Sequence, residues 1–449
     1  MYIYKGNKRN TFITSLASIT KPENNIKISI MKSRAVKTNL LTLSFVILLS
    51  LLGFSQEEQN VPCNKIPTLT DSIGTPSPTK ALSDINGIHP HTVKLCEADN
   101  GKLYGLTRLG GTHQMGTIFL FDPITNEHKK VGDFKGRSNG SHPYGSLVKA
   151  KNGMLYGMTN RGGAYNQGTI FEFDPKNSTL THKIDFDGWT GSKPHNILVQ
   201  ASNGNLYGMA QTGGTHDQGV LFEYNIRKGQ IRAVINFERK VTGSNPLGGL
   251  IEVDGHRLFG MTLFGGLYNE GVIYEYNLKT EEYIKRIDLV PNVTGNRPQG
   301  NFVQLNSEIL IGATHFGGKY NNGTLFEYNI KEHTFNKVHD FNSYTTGENP
   351  KPTLIKAKNN MLYGMTIYGG KNRFGVLYEY NPATKELAKK LDFEGVNNGQ
   401  SPCGPLTETS DGRIFGVTHV GGTYGKGIIF EYNVETNVII KKYDFVGKR

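Results

Sequence analysis

His91, His113, Tyr144, Asn160 and Arg161, then His195 and His216, fall at matching points of a repeating sequence. Such a set suits β-elimination beside the carboxylate of an acidic sugar. That reaction needs a cation or strong donor to hold the carboxylate as charge develops on it. It also needs a base for the neighbouring proton and an acid for the leaving sugar oxygen. Arg161, assisted by Asn160, can meet the first need. His91 or His113 and Tyr144 can divide the other two, in an order the residues leave open. No carboxylate pair accompanies them, which argues against two-acid glycoside hydrolysis, and the repeats offer no evident serine nucleophile. Tyr165 and Trp189, the only tryptophan, can present rings on which a sugar stacks. The bland alternative for Trp189 is a ring that covers the loop beneath it. His195 and His216 complete the candidate substrate-binding set, and the chemistry requires no cofactor.

The elements that must position these residues come from an internal repeat. A Leu-Tyr-Gly-Met-Thr-like string has its glycine at Gly105, Gly157, Gly208, Gly260, Gly312, Gly364 and Gly416. A Gly-Gly pair follows each, from Gly110-Gly111 to Gly421-Gly422, with a period of 51 or 52 residues. A fixed period of that size, with four short strands per unit, predicts an all-β, seven-bladed β-propeller of four-stranded antiparallel blades. Residues 143–186 show one unit. Ser146 to Ala150 reads as the first strand, with a tight turn at Asn152-Gly153. Met154 to Thr159 is the second strand and Gly168 to Asp174 the third. Lys183 to Phe186 is the fourth. The aromatic pair of the third strand, Phe171/Phe173 here and Phe222/Tyr224 next, is expected to fill the space between blades. The loop into each blade and the Gly-Gly loop should share one face, where a rigid scaffold carries its function.

The pattern resembles the kelch family of propellers in Gly162-Gly163 after the second strand, Phe173-Asp174-Pro175 in the third and Phe186 in the fourth. The resemblance covers residues 86–449. It departs where kelch rings often share a blade between the chain ends, since all seven units here look whole and closure would rest on packing of blade 7 against blade 1. By position within the repeat, His91, His113, Tyr144 and Arg161 are similar to the groove residues of seven-bladed polysaccharide lyases that act on ulvan. In that family two histidines, a tyrosine and an arginine line one propeller face. His195 and His216 with blade 2 residues are an alternative carry-over. Some of these lyases hold a structural zinc, for which Cys403 and His419 of blade 7 are candidate ligands; a buried thiol near a loop histidine is the plainer reading.

Charge and composition bound the partner. The net charge is +12, but residues 1–55 carry eight Lys/Arg and one acid, so the remainder is only +5. With no basic stripe, nucleic acid is not expected, and an anionic polysaccharide is the expected partner. Lys32, Arg34 and Lys37 followed by an apolar run from Leu40 to Phe54 read as a secretory signal within residues 31–55, cleaved near Gln56. The run is too short to span comfortably, so no stable membrane span is expected. Residues 1–30 lack signal character, and translation can begin at Met31; residues 56–85 read as a linker. Cys63, Cys96 and Cys403 are an odd number, so at least one lacks an internal disulfide partner. The reading is a secreted lyase for a uronate-bearing, ulvan-like polysaccharide. The alternative is a non-catalytic extracellular propeller that binds glycan or protein through the same face.

Overall fold

Short alternating runs bounded by glycine turns leave few options but antiparallel hairpins, and the chain forms them in strict sequence. It divides into Met1–Ile66 and Pro67–Arg449. The computed structural model describes residues 86–351 and 354–447, all within the second unit. The expected signal, the linker at 56–85 and Cys63 lie outside the described residues. The described chain is all-β and folds as seven four-stranded antiparallel blades, each of four consecutive strands. Blade 1 is built from Cys96–Glu97, Leu103–Thr107, Thr117–Phe121 and His128–Asp133, and blade 7 from Thr407–Glu408, Ile414–Val417, Ile428–Asn433 and Val438–Asp444. The first strand of blade 2 is broken into Ser141–Pro143 and Val148–Lys149, and Gly145–Ser146 between them pairs in parallel with the first strand of blade 3, which runs unbroken over Ser192–Gln200. The fourth strand of blade 2 starts at Thr179, earlier than expected. Ser178 adopts a left-handed φ of 52°, so the chain reverses at once and Thr179 pairs with Asp174.

The recurrent glycine of the second strand has a packing cause. It lies opposite an aromatic residue of the third strand, as in Gly105 with Phe119, Gly208 with Phe222 and Gly260 with Tyr274. A Cβ on Gly208 would stand 2.5 Å from Phe222 Cζ and 2.7 Å from Leu198 Cδ2. The ring occupies the place a side chain would take. These rings are fully buried, and each core cluster spans two adjoining blades, including one that joins blade 7 to blade 1 through Phe415, Phe445, Phe119 and Phe121.

Each blade begins with a repeated joint. The residue before the opening proline (His89, His142, Lys193, Asn245, Arg297, Asn349 or Ser401) has φ between 50° and 58°. Proline pushes its predecessor toward extended conformations, and a side chain makes left-handed backbone costly, so this geometry is strained at about 1–3 kcal/mol. It persists because the same residue donates its N–H to the preceding blade: His142 to Met115 O at 2.8 Å, Lys193 to Gln167 O at 2.9 Å. The proline then seats on the glycine that opens that blade's third strand, Pro143 on Gly116 and Pro194 on Gly168. Ring closure is a seventh copy: His89 N donates to Lys426 O at 3.2 Å, and Pro90 seats on Gly427. Thr407 Oγ1 to Leu95 O at 2.7 Å and Ser410 N to Glu97 Oε2 at 2.8 Å reinforce it. The Gly-Gly loops share the face of these joints, since Gly163 N donates to Gly136 O at 3.0 Å and Gly422 N to Gly395 O at 2.9 Å.

Gly208→Val should destabilise the protein by about 1–3 kcal/mol through overpacking against Phe222. In urea unfolding, pairing it with Phe222→Leu should cost less than the sum of the two single changes. Additive costs would show that the ring is not what excludes the side chain.

Candidate functional site

Because every joint has the same geometry, the residue after each opening proline occupies an equivalent place around the axis. These residues are His91, Tyr144, His195, Leu247, Gln299, Lys351 and Cys403. Four of them, His195, Gln299, Lys351 and Cys403, line one narrow axial cavity with Thr92, Asn196 and Pro405. Asn196 Nδ2 ties this region across blades, donating to Leu247 O at 3.1 Å and Asn301 Oδ1 at 3.0 Å.

One side of the axis is a continuous wall of rings. His419, His91, Tyr144 and His195 follow one another with centroid separations of 4.6, 4.3 and 4.4 Å. Tyr144 Oη and His91 Nε2 are hydrogen-bonded at 3.1 Å. The Arg108 guanidinium carbon lies 5.6 Å from the centre of the Tyr144 ring. Burial dominates the titration of the group. It holds His91 well below the ordinary 6.5, with His419, Lys351 and Arg108 adding repulsion. His195, His315 and His419 are pushed down to about 3 for the same reason. Burial raises the Tyr144 phenol to about 12. At neutral pH the pair is therefore an uncharged imidazole and an intact phenol. Lys351 is half-buried in the cavity wall, and the lost hydration lowers its ammonium to about 8.

The expected residues separate into two groups. His91 and Tyr144 meet, and His195 and His419 join them. His91 is only 1% exposed, so a substrate would touch Tyr144 and reach His91 only through it. Arg161 instead lies exposed at the end of the second strand of blade 2, opposite Ser141. His142 feels the charge of both Arg108 and Arg161. His113 and His216 are exposed in their Gly-Gly loops. Asn160 donates a long bond to Pro194 O at 3.4 Å. Tyr165 and Trp189 are 63% and 72% exposed, too open for Trp189 to cover much of its loop. Trp189 lines a surface groove with Asp187, Lys193 and Asp217. Cys403 is disulfide-bonded, so its sulfur has no thiolate to offer beside His419. Cys96 is a free, partly buried thiol, raised to about 11 mainly by burial. No group of three or more His, Cys, Asp or Glu side chains placed to hold a metal occurs among the described residues.

Sequence reasoning missed Arg108, His315 and Lys351. The signal was present: Lys351 occupies the position after the proline, and Arg108 and His315 follow the second-strand threonine as His419 does.

Seven blades around a ring-lined, cation-rich axis define the protein as a seven-bladed β-propeller. Residues 50–257 and 253–449 match the Gloeobacter/Verrucomicrobia repeat, and the chain belongs to that family. No curated protein matches the sequence. Among solved structures, the chain is similar to oligogalacturonate lyase from Vibrio parahaemolyticus, with a TM-score of 0.52, 13% identity and coverage of 80% of this chain and 93% of that one. It is also similar to the extracellular domain of a proposed hybrid two component system from B. thetaiotaomicron, with a TM-score of 0.54, 13% identity and coverage of 74% of this chain but 37% of that one. A puromycin-hydrolyzing peptidase from Mycobacterium tuberculosis matches with a TM-score of 0.51 at 7% identity, over 82% of this chain and 56% of that one. At these identities the likeness concerns the fold. No helix among the described residues is long and apolar enough to cross a membrane.

The buried histidines set a pH dependence. Folded values near 3 for His195, His315 and His419 lie below the ordinary 6.5, so the unfolded chain binds more protons between those limits. Stability should be full above pH 6.5 and fall progressively toward about pH 3. Urea midpoints measured in chloride buffers at pH 7.5, 6 and 5 should decline, and His315→Gln should flatten the slope. An unchanged slope would mean that His315 is charged in the folded state.

Proposed function

We propose that the protein is an exported lyase that cleaves an anionic, uronate-bearing, ulvan-like polysaccharide by β-elimination. The observation that carries this reading is the hydrogen bond between Tyr144 and His91, with Arg108 beside the ring and no carboxylate bonded to any of the three among the described residues. Tyr144 is the group at the substrate and His91 its proton relay. His91 Nε2 accepts the phenolic proton as the Tyr144 oxygen takes the proton next to the uronate carboxyl. The carbon–carbon double bond forms as the glycosidic carbon–oxygen bond breaks, Tyr144 passes the abstracted proton to the leaving sugar oxygen, and His91 returns the phenolic proton to Tyr144. Arg108 supplies positive charge for the carboxylate, and stabilising the charge that develops there raises the acidity of the adjacent C–H. The fold likeness to oligogalacturonate lyase supports the reaction class, and the expected signal supports export.

A non-catalytic, glycan-binding propeller is the second reading. It is favoured by exposed tyrosines at one repeated loop position, Tyr165, Tyr268, Tyr320 and Tyr424, 41% to 63% accessible. Rings displayed that way can stack on sugars without any chemistry.

Incubation with ulvan and with polygalacturonate should generate the ultraviolet absorbance of an unsaturated uronate. Tyr144→Phe should lower turnover by about 10²–10⁴-fold, and Arg108→Ala should impair it through lost charge stabilisation. Binding of these polymers with no unsaturated product would favour the second reading. Full activity in Tyr144→Phe would remove Tyr144 from the chemistry.

A further inference from the structure

The axis concentrates nitrogen and positive charge without an acid to balance it. Lys351 lines the axial cavity together with His195, and its charge disfavours protonation of His91, His195, His315 and His419 alike. Among the described residues, no Asp or Glu is hydrogen-bonded or ion-paired to Lys351, Arg108 or these four histidines. Buried cations and buried donors are ordinarily paired, because leaving them so costs their full desolvation. Here the Nδ1 atoms of His91, His195, His315 and His419 and the Nε of Arg108 are buried with no hydrogen-bond partner. The histidines are 1%, 8%, 5% and 5% exposed.

The unpartnered Nδ1 atoms indicate what would complete the set. A neutral imidazole carries its proton on one nitrogen and leaves the other bare. An Nδ1 that carries the proton is a donor without an acceptor, and a bare Nδ1 becomes such a donor on proton uptake. A bare Nδ1 also suits a metal cation, but the Lys351 ammonium and the Arg108 guanidinium repel one. Gln299 and Lys351 add polar groups to the cavity wall.

We propose that the axial cavity is a binding site for a compact oxyanion, a sulfate or a carboxylate group, held by Lys351, Gln299 and His195 in its wall, with His315 and His419 within the field of the Lys351 charge. The oxyanion can be a free ion or the acidic substituent of a saccharide. The site holds whether or not the chain cleaves polysaccharide. Binding draws protons onto the histidine Nδ1 atoms. The facing groups are Arg108, Tyr144 and Lys351, with the neighbouring histidines, and all but the phenol disfavour a lone proton until the anion arrives.

The test uses the full chain at constant ionic strength, with sodium sulfate, sodium acetate and galacturonate each exchanged for chloride. Calorimetric titration should show sulfate or acetate binding that tightens from pH 7.5 to pH 5.5. Lys351→Met should weaken it by about tenfold or more, the worth of one charge-assisted hydrogen bond. Without oxyanion the variant should be at least as stable as the wild type, since an unpaired buried cation is gone. Galacturonate binding more tightly than acetate would identify a saccharide substituent as the ligand, and equal or weaker binding a free ion. In wild-type protein labelled with ¹⁵N-histidine, sulfate or acetate should shift the Nδ1 resonances of His195 and His419. The proposal fails if neither oxyanion moves those resonances, if Lys351→Met binds as the wild type does, or if Zn²⁺ occupies the site and displaces no oxyanion.

Discussion

Seven aromatic rings, each lying over a bare glycine of the neighbouring strand, set the geometry on which the propeller depends. Where any side chain on Gly208 would collide with Phe222 and Leu198, hydrogen alone lets the third-strand ring lie flat inside its own blade. Its partner two residues on, Tyr224, packs in a cluster that also holds Tyr156 of the blade before. Close packing of this kind is intolerant of volume change, so the angle between blades follows from the thickness of the rings. The loops and joints inherit that angle.

The joints convert it into a site. A left-handed residue before proline is a strained choice, made seven times, and each is held by a bond to the previous blade and a proline seated on a glycine. The outer aspartates play a supporting part: Asp133 Oδ1 accepts from Thr112 N at 2.9 Å and Asp444 Oδ1 from Thr423 N at 3.0 Å, which fixes the Gly-Gly loops against their own outer strands. Rigid loops and joints bring one residue per blade to the axis, and each joint is made by a backbone bond and a seated proline rather than by the axial side chain. That division leaves His91, Tyr144, His195 and Lys351 free to differ from one another.

Much of the architecture was legible because it is periodic. The glycine string, the paired glycines and the Asp-Phe of the fourth strand mark strand order and blade number, and intact first and last units point to closure by packing. The candidate site was legible in angle but not in depth. Position within the repeat groups His91 with Tyr144 and His195, whose rings are neighbours, and equally with His113 and Arg161, which are exposed to solvent. Periodicity reports which blade and which loop a residue occupies; whether it points inward or outward depends on side-chain direction after a left-handed turn, which no repeat count conveys. Lys351 was passed over because blade 6 reads as bland when judged blade by blade. Judged around the axis, it is the one ammonium among imidazoles. The disulfide at Cys403 depends on a pairing that spacing does not specify.

The closing joint has a thermodynamic side. A linear stack of seven units has six interfaces between neighbours, and stability in such arrays grows as unit terms plus interface terms. Here His89, Pro90 and Gly427 supply a seventh interface built like the other six. Bending the stack into a circle therefore adds a contact without ordering another blade, and every blade has two neighbours. No blade is terminal in the sense that frays first, so loss of a single blade must break two interfaces at once. Such a ring is expected to open in one cooperative step rather than peel from an end.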